Sequence, residues 1–396
     1  MILNTEQHEA LRGAVERYKA KELYTYIAGA AGTGKSTLVQ HIVAALGLHP
    51  EEDVCYVAYT GKAAQNLKRK GCPNACTLHS LLYHVRINKK TGVPFFVPKY
   101  KGEIKFKLIV VDEISMVTQD MWDLLVMHHN PMILLGDIHQ LPAIGVSNNV
   151  MNDPHYVLTE IMRQEADSEI IQVATLARNH QPIPYMKGEQ VQVIPYSEYV
   201  DAMVDWADIT LCATNRKRQE INRIARERLW GAPDLPPQKG DKIICLHNEW
   251  DCETELGDVL INGLVGFIYS DPIIKDAPLL YQRMIEKTLH FDFIPDYRLE
   301  DELINKAIFR NTPADYKLLQ EGVPTVTQKN YRGFPKTLMP KQFDYAYAVT
   351  CHKAQGSEYN KVLVLEEGFP FGEKEHFQWL YTACTRAIDK LVIVRN

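Results

Sequence analysis

Residues Gly29-Ala30-Ala31-Gly32-Thr33-Gly34-Lys35-Ser36 fit the pattern G-x-x-x-x-G-K-[ST] at every fixed position. Glycines at these places let backbone N–H groups converge on phosphate oxygens, and a following helix start adds partial positive charge. Gly29 to Thr37 are therefore the candidate cradle of a nucleoside triphosphate. In it Lys35 reaches the β- and γ-phosphates and Ser36 offers its hydroxyl to Mg²⁺. Further on, Leu108-Ile109-Val110-Val111-Asp112-Glu113 is an apolar run that ends in adjacent carboxylates. In an enzyme of this kind the Asp holds the metal and the Glu polarises the attacking water. Gly136-Asp137-Ile138-His139-Gln140-Leu141-Pro142 follows another apolar run, and Gln140 is placed to hydrogen-bond a γ-phosphate and sense its loss. The chemistry indicated is hydrolysis of a nucleoside triphosphate.

These loops need rigid elements beneath them. Leu23 to Ala28 reads as a strand before the glycine loop, and Thr37 to Leu46 has apolar residues at helical spacing after it. Val54–Ala58, Leu108–Val111 and Met132–Leu135 read as further strands separated by helical stretches. Such alternation predicts a parallel sheet wrapped by helices. The second half repeats it, with a strand at Ile209–Cys212, a helix at Arg216–Leu229, a strand at Lys361–Leu365, a helix at His376–Arg386 and a strand at Leu391–Val394. Two segments break the pattern. One carries Lys90-Thr91-Gly92 between alternating runs and reads as an inserted β-hairpin. The other, from about Gly257 to Lys341, is turn-rich and reads as a small β-rich insertion.

Composition sets outer bounds. The 396 residues are 46% hydrophobic and 23% charged, as in ordinary globular proteins, and no apolar run reaches the roughly 18 residues of a membrane span. The first residues lack the basic region and apolar core of a secretory signal. The eight cysteines are scattered, and Cys72-x₃-Cys76 has no second pair at zinc-site spacing, so a reduced, intracellular setting is expected. A net charge of −5 argues against binding nucleic acid over the whole surface. Locally, however, Arg86, Lys89, Lys90, Lys99, Lys101, Lys105 and Lys107 face only Glu103 between His84 and Lys107, with Phe95, Phe96 and Tyr100 among them.

Further stretches join these in order: Val57-Ala58-Tyr59-Thr60-Gly61-Lys62-Ala63-Ala64, Thr77-Leu78-His79-Ser80, Thr350-Cys351-His352-Lys353-Ala354-Gln355-Gly356-Ser357-Glu358 and Tyr381-Thr382-Ala383-Cys384-Thr385-Arg386-Ala387. From Gln7 to Arg386 the series resembles the superfamily 1 helicases, in particular the RecD-like and Dda-like 5′-to-3′ DNA helicases of superfamily 1B. The resemblance implies an α/β fold of two RecA-like parallel-sheet P-loop domains, with a β-hairpin (pin) insertion in the first and an SH3-like insertion in the second. The corresponding boundaries are 1–83 with 108–157 for domain 1A, 84–107 for the pin, 158–256 with 342–396 for domain 2A, and 257–341 for the SH3-like part.

The same resemblance implies an ATP-dependent, Mg²⁺-requiring helicase. Gln7 would read the adenine edge, Gly356 and Glu358 would join the nucleotide site, and Arg163 and Arg386 would reach the γ-phosphate. Asp112 and Ser36 would hold the metal. Thr60, Lys62, Thr77, His79, Thr350 and His352 would grip single-stranded DNA, with Phe95 and Phe96 wedging at a duplex fork. Tyr59 stands where the family usually has Pro. The expected setting is a monomer in the cytoplasm of a bacterial or phage-infected cell, with no membrane and with replication or recombination proteins as further partners. An RNA or RNA–DNA translocase of the same superfamily is the alternative, since phosphate contacts do not distinguish the sugar. A P-loop kinase or nucleotide-gated binding protein fits only the first half.

Overall fold

The computed structural model of the chain describes residues 3–87, 94–142, 150, 153–162, 168–256, 258–277, 285–299, 302–321, 340–368 and 372–395. By its internal contacts the chain divides into two compact units. The first is Met1–His84, Pro98–Tyr199 and Cys351–Asn396; the second is Val85–Val97 and Val200–Thr350.

In the first unit, helix α1 (Thr5–Lys19) precedes strand β1 (Tyr24–Gly29), the phosphate loop and α2 (Lys35–Ala45). There follow β2 (Val54–Ala58), α3 (Gly61–Arg69), β3 (Ala75–Thr77) and α4 (Leu78–Leu82). Strands β4 (Tyr83–Ile87) and β5 (Pro94–Pro98), which fall mostly in the second unit, pair with each other as a two-stranded sheet. Then come β6 (Leu108–Val111), α5 (Gln119–Met127), β7 (Met132–Gly136) and β8 (Tyr156–Leu158). The main sheet has the order β3-β2-β6-β7-β1-β8 and is parallel throughout.

Strands β2, β6 and β7 are buried along their whole length, which is why they read as continuous apolar runs rather than alternating ones. Ala10 and Ala14 of α1, Leu38 and Ile42 of α2 and Leu67 of α3 pack on one face. Leu78 and Leu82 of α4 and Trp122 and Leu125 of α5 pack on the other. With both faces covered, only the loops at the carboxyl ends of the strands are open for ligands. The expected parallel, helix-wrapped sheet is present.

The first unit continues with α6 (Glu169–Arg178), β9 (Met186–Lys187) and β10 (Val191–Pro195). The second unit holds α7 (Ala202–Trp206), β11 (Ile209–Cys212), α8 (Asn215–Trp230), β12 (Lys242–Cys245), β13 (Glu249–Glu253), β14 (Val259–Leu260), β15 (Val265–Ile268), β16 (Ile273–Asp276), β17 (Lys287–Pro295), β18 (Phe309–Asp315), α9 (Tyr316–Glu321), β19 (Phe343–Tyr345) and β20 (Ala348–Thr350). An antiparallel sheet, β16-β17-β15-β12-β19 with β18 on β17, encloses Phe291, Phe293, Phe309 and Phe343. It draws in β12 and β19, so the β-rich region is wider than 257–341 on both sides. Gly266 is required in β15, because a Cβ there would lie 2.1 Å from the Ile294 carbonyl oxygen.

The chain returns to the first unit with α10 (Cys351–Ala354), β21 (Tyr359–Leu365), α11 (Glu373–Cys384) and β22 (Ala387–Arg395). There β22 pairs in parallel with β21 and with β10, which joins residues 191–195 to the C-terminal segment. By internal contacts residues 158–199 and 351–396 fall in the first unit, whereas the expected second RecA-like region also takes in 200–256. Among the described residues no helix is long and apolar enough to cross a membrane.

Candidate active site

The phosphate loop leaves β1 at Gly29 and enters α2 through Gly34, whose left-handed φ of 75° follows another left-handed glycine, Gly32. A Cβ on Gly34 would sit 2.7 Å from the Gln7 amide nitrogen and 3.2 Å from Met162, so the loop closes only with glycine there. No side chain caps α2, which leaves its first N–H groups facing the loop. The Lys35 ammonium folds back and donates to the carbonyls of Gly29 (2.6 Å) and Ala30 (2.9 Å). Around it opens a cleft of about 660 Å³, within the range that holds nucleotide-sized ligands. Gly32 to Thr37, Asp112, Glu113, Gln140, Gly356, Glu358 and Arg386 all line it.

Asp112 continues from β6, its N–H donating to Val57 O, and its own carboxylate accepts the Glu113 N–H at 3.0 Å. Glu113 has φ 51° and ψ 52°, a left-handed backbone that a non-glycine residue adopts at a cost of about 1–2 kcal/mol. The bend turns its carboxylate into the cleft. Burial raises the Asp112 pKa, with the Lys35 ammonium opposing. Burial likewise raises Glu113, to about 7; Arg386 pulls the other way, and Asp112 and Glu358 push with burial. Glu113 Oε1 is 3.8 Å from Arg386 Nη1, while its buried Oε2 has no hydrogen-bond partner. Arg386 is itself buried and held by Thr382 O (3.1 Å), Ser357 O (3.3 Å) and Thr385 Oγ1 (3.1 Å). A base with a pKa near neutrality, an arginine beside it and a lysine across the cleft suit phosphoryl transfer to water.

Several residues that hold this site together are not singled out by the sequence reading. The Tyr381 hydroxyl donates to Asp137 Oδ2 (2.5 Å) and accepts the Ala31 N–H (2.9 Å), tying the phosphate loop to α11. Leu141, just after Gln140, is gripped on both sides. Its N–H donates to Thr382 Oγ1 (2.9 Å), and its carbonyl accepts from Gln355 Nε2 (2.7 Å). The available signal is spacing: Tyr381 and Thr382 lie one helical turn before Arg386, and Gln355 adjoins Gly356.

Gln7 differs from its expected role. It is fully buried and forms a capping box with Asn4, accepting the Asn4 N–H at 3.0 Å, and its amide nitrogen donates to Thr33 O at 3.0 Å. Its oxygen is taken by the cap of α1 and its nitrogen by the phosphate loop, so in this arrangement the amide faces the protein and not an adenine.

The expected DNA contacts divide. Thr60 and Thr77 cap α3 and α4, at the carboxyl ends of the adjacent strands β2 and β3, and accept the N–H groups of Ala63 and Ser80. His79 stacks near Tyr83 and meets Tyr59 edge-on, and burial lowers its pKa, which keeps it neutral. His352, on α10, is lowered by burial in the same way. Thr350 ends β20 in the second unit. Lys62 is a correction: it lies in α3 rather than a loop, is buried, and its ammonium sits 4.2 Å from the centre of the Tyr359 ring. It is not open to a strand in this arrangement, because the aromatic face takes its charge. Phe96 is exposed on β5; for Phe95 only the backbone is described, and Arg163 lies outside the described residues. Ser36 and Asp112 line the cleft together, and their hydroxyl and carboxylate are hard oxygen donors suited to Mg²⁺.

Such a cleft, at the carboxyl edge of a parallel sheet, belongs to the P-loop nucleoside-triphosphatases. Residues 2–194 match the family described as an AAA domain, and residues 345–394 match the UvrD-like helicase C-terminal domain. The ATP-dependent DNA helicase dda of Enterobacteria phage T4 is 29% identical over 189 residues, covering 45% of this chain and 43% of that protein. The ATP-dependent DNA helicase RRM3 of Saccharomyces cerevisiae is 24% identical over 310 residues, covering 73% of this chain and 38% of that protein. The chain thus spans less than half the length of these relatives. A solved Pif1 helicase from Bacteroides, in complex with ADP-AlF3 and ssDNA, shares the fold with a TM-score of 0.54 at 16% identity, covering 99% of this chain and 92% of that one. The chain is thus similar to ATP-dependent DNA helicases, in keeping with the superfamily 1B motifs that its sequence resembles.

Proposed function

We propose that the protein is an ATP-dependent DNA helicase that moves 5′ to 3′ along single-stranded DNA and opens duplex at a fork. The observation that carries this reading is the presence of Lys35, Glu113 and Arg386 on one cleft, in a chain whose relatives are named as ATP-dependent DNA helicases.

The triphosphate lies along the amides of Gly32 to Thr37, and Lys35 exchanges its two carbonyl partners for the β- and γ-phosphates. Ser36 and Asp112 would hold Mg²⁺, which would neutralise phosphate charge. Glu113 accepts the proton of the attacking water on Oε2. Arg386 moves from beside Glu113 onto the γ-phosphate, where it offsets the developing charge. That move also removes the main positive influence on Glu113, so the base strengthens as the nucleotide is engaged. Gln140 senses the γ-phosphate, and the clamp on Leu141 carries its loss to α10 and α11. Arg163 adds a second γ-phosphate contact.

For the strand, Thr60, Thr77 and His79 form one row, and Thr350 and His352 contribute from the motif that precedes β21. Hydroxyl and neutral imidazole donors give affinity for the backbone without sequence preference. The paired strands β4 and β5, with Phe95 and exposed Phe96, act as the pin of residues 84–107, and aromatic stacking there is worth about 1–3 kcal/mol per base. The antiparallel sheet forms the SH3-like part around residues 257–341, between the segments 158–256 and 342–396 of domain 2A. Domain 1A is 1–83 with 108–157, and the working unit is a monomer. Strand displacement on duplexes bearing a 5′ or a 3′ single-stranded tail tests this. Only the 5′-tailed duplex should open, and only with ATP; opening of the 3′-tailed duplex alone would refute the polarity.

A further inference from the structure

The cleft leaves an unusual pair of side chains unused. Cys55 on β2 and Cys76 on β3 place their sulfurs 3.6 Å apart, in hydrogen-bond contact, and neither is in a disulfide. Cys55 is buried, whereas Cys76 is partly open. The residue after Cys76 is Thr77, the cap of α4, and His79 lies in that helix.

We propose that Cys55 and Cys76 are an oxidation site, a dithiol that a peroxide converts to a disulfide, and that closing it displaces the strand-binding row at Thr77 and His79. The second half of this rests on the strand-binding role proposed above. The chemistry balances with hydrogen peroxide as the oxidant. The Cys76 thiolate attacks one peroxide oxygen, giving a sulfenic acid and, with a proton, one water. The Cys55 sulfur then attacks the sulfenic sulfur, forming the S–S bond and releasing the second water.

Local chemistry favours Cys76 as the attacking thiol. Its pKa is lowered to about 7, chiefly by the hydrogen bond from Cys55, with burial opposing and with Ser80, Lys99 and Lys68 assisting. Its hydrogen bond to Cys76, together with burial, raises Cys55 and keeps it protonated. A thiolate with a pKa near ambient pH, beside cationic groups and a resolving thiol, is the arrangement that reactive cysteines share.

The register supplies the coupling. Val57, not Cys55, lies opposite Cys76, so the two cysteines are offset by two residues on adjacent parallel strands, which at about 4.8 Å between strands and about 3.3 Å rise per residue separates their Cα atoms by about 8 Å. A disulfide spans about 4.4–6.8 Å between Cα atoms. Closing the bond therefore slides the short strand β3 along β2. Because β3 is only three residues long and runs directly into the α4 cap, the shift passes to Thr77 and His79.

The test is peroxide treatment of the full chain, thiol alkylation, proteolysis and mass spectrometry, alongside binding of a poly-dT oligonucleotide. The expected result is a peptide linked through Cys55 and Cys76 and an affinity about tenfold weaker, equivalent to about 1.4 kcal/mol, both reversed by dithiothreitol. Cys55→Ser should show no link and keep its affinity under peroxide; if that variant is unstable, Cys76→Ser at the more open position makes the same test. Recovery of both cysteines fully alkylated after peroxide would overturn the site. A linked peptide with unchanged affinity would overturn the coupling. If the reduced protein fails to bind the oligonucleotide at all, the strand-binding reading fails with its coupling, and the peptide still decides the site.

Discussion

Two arginine–carboxylate pairs, one in each unit, are built in opposite ways. In the second unit Arg226 and Asp241 are joined by two hydrogen bonds, Nε to Oδ1 at 3.2 Å and Nη2 to Oδ2 at 3.1 Å. Arg226 also donates to the carbonyls of Pro233, Leu235 and Pro236, and Asp241 accepts from Trp230, Tyr347 and Gln238. In the first unit Arg386 and Glu113 come only to 3.8 Å, one carboxylate oxygen has no partner, and the Glu113 backbone is left-handed. A fully satisfied pair fixes the packing of α8 against the loop that follows it. An under-satisfied one stays available for a ligand, and the difference separates a structural charge from a working one.

Substitutions in the two pairs should therefore fail in different assays. Arg386→Ala should lower ATP turnover by about 10³–10⁵-fold and, since it also gives up its bonds to Thr382, Ser357 and Thr385, lower the melting temperature by less than the structural pair's substitution does, read by steady-state phosphate release and calorimetry. Asp241→Ala should do the reverse, losing about 3–5 kcal/mol of stability by chemical denaturation because it strands a buried arginine. An Asp241→Ala protein as stable as the parent would break the comparison. Tyr381→Phe sharpens it with a smaller effect. It leaves the Ala31 N–H and the Asp137 carboxylate each short of one partner, so about 1–3 kcal/mol of stability is lost and turnover falls less than for Arg386→Ala.

Legibility followed the distance along the chain over which each feature is made. The phosphate loop, the buried strands and the Asp112-Glu113 pair are local, and periodicity with motif spacing was enough to read them. The capping box is local too: Asn4 followed three residues later by Gln7 is its signature, and it accounts for the Gln7 amide facing inward. Spacing from Arg386 marks Tyr381 as a candidate, but its link joins positions 350 and 244 residues apart, and the partners at that distance are not reported by spacing. Lys62 looked like a phosphate contact because its burial depends on Tyr359, far along the chain. The antiparallel sheet was legible as β-rich but not in extent, since β12 and β19 join it only through pairing.

The claim that Glu113 is the base is tested most directly by Glu113→Gln, with ATP binding and turnover measured across pH. With a pKa raised to about 7, the parent carboxylate is ionised above pH 7 and takes up a proton below it, so its turnover should fall as pH drops through about 7. The sign for stability is opposite. The raised pKa opposes folding above pH 7, and that penalty fades toward pH 4.5, so the glutamine variant should be more stable than the parent at pH 8 and lose this advantage on acidification. The expected variant binds ATP as the parent does, turns it over about 10²–10⁴-fold more slowly and shows no inflection near pH 7. A variant that hydrolyses ATP at the parent rate with the same pH profile would contradict the assignment.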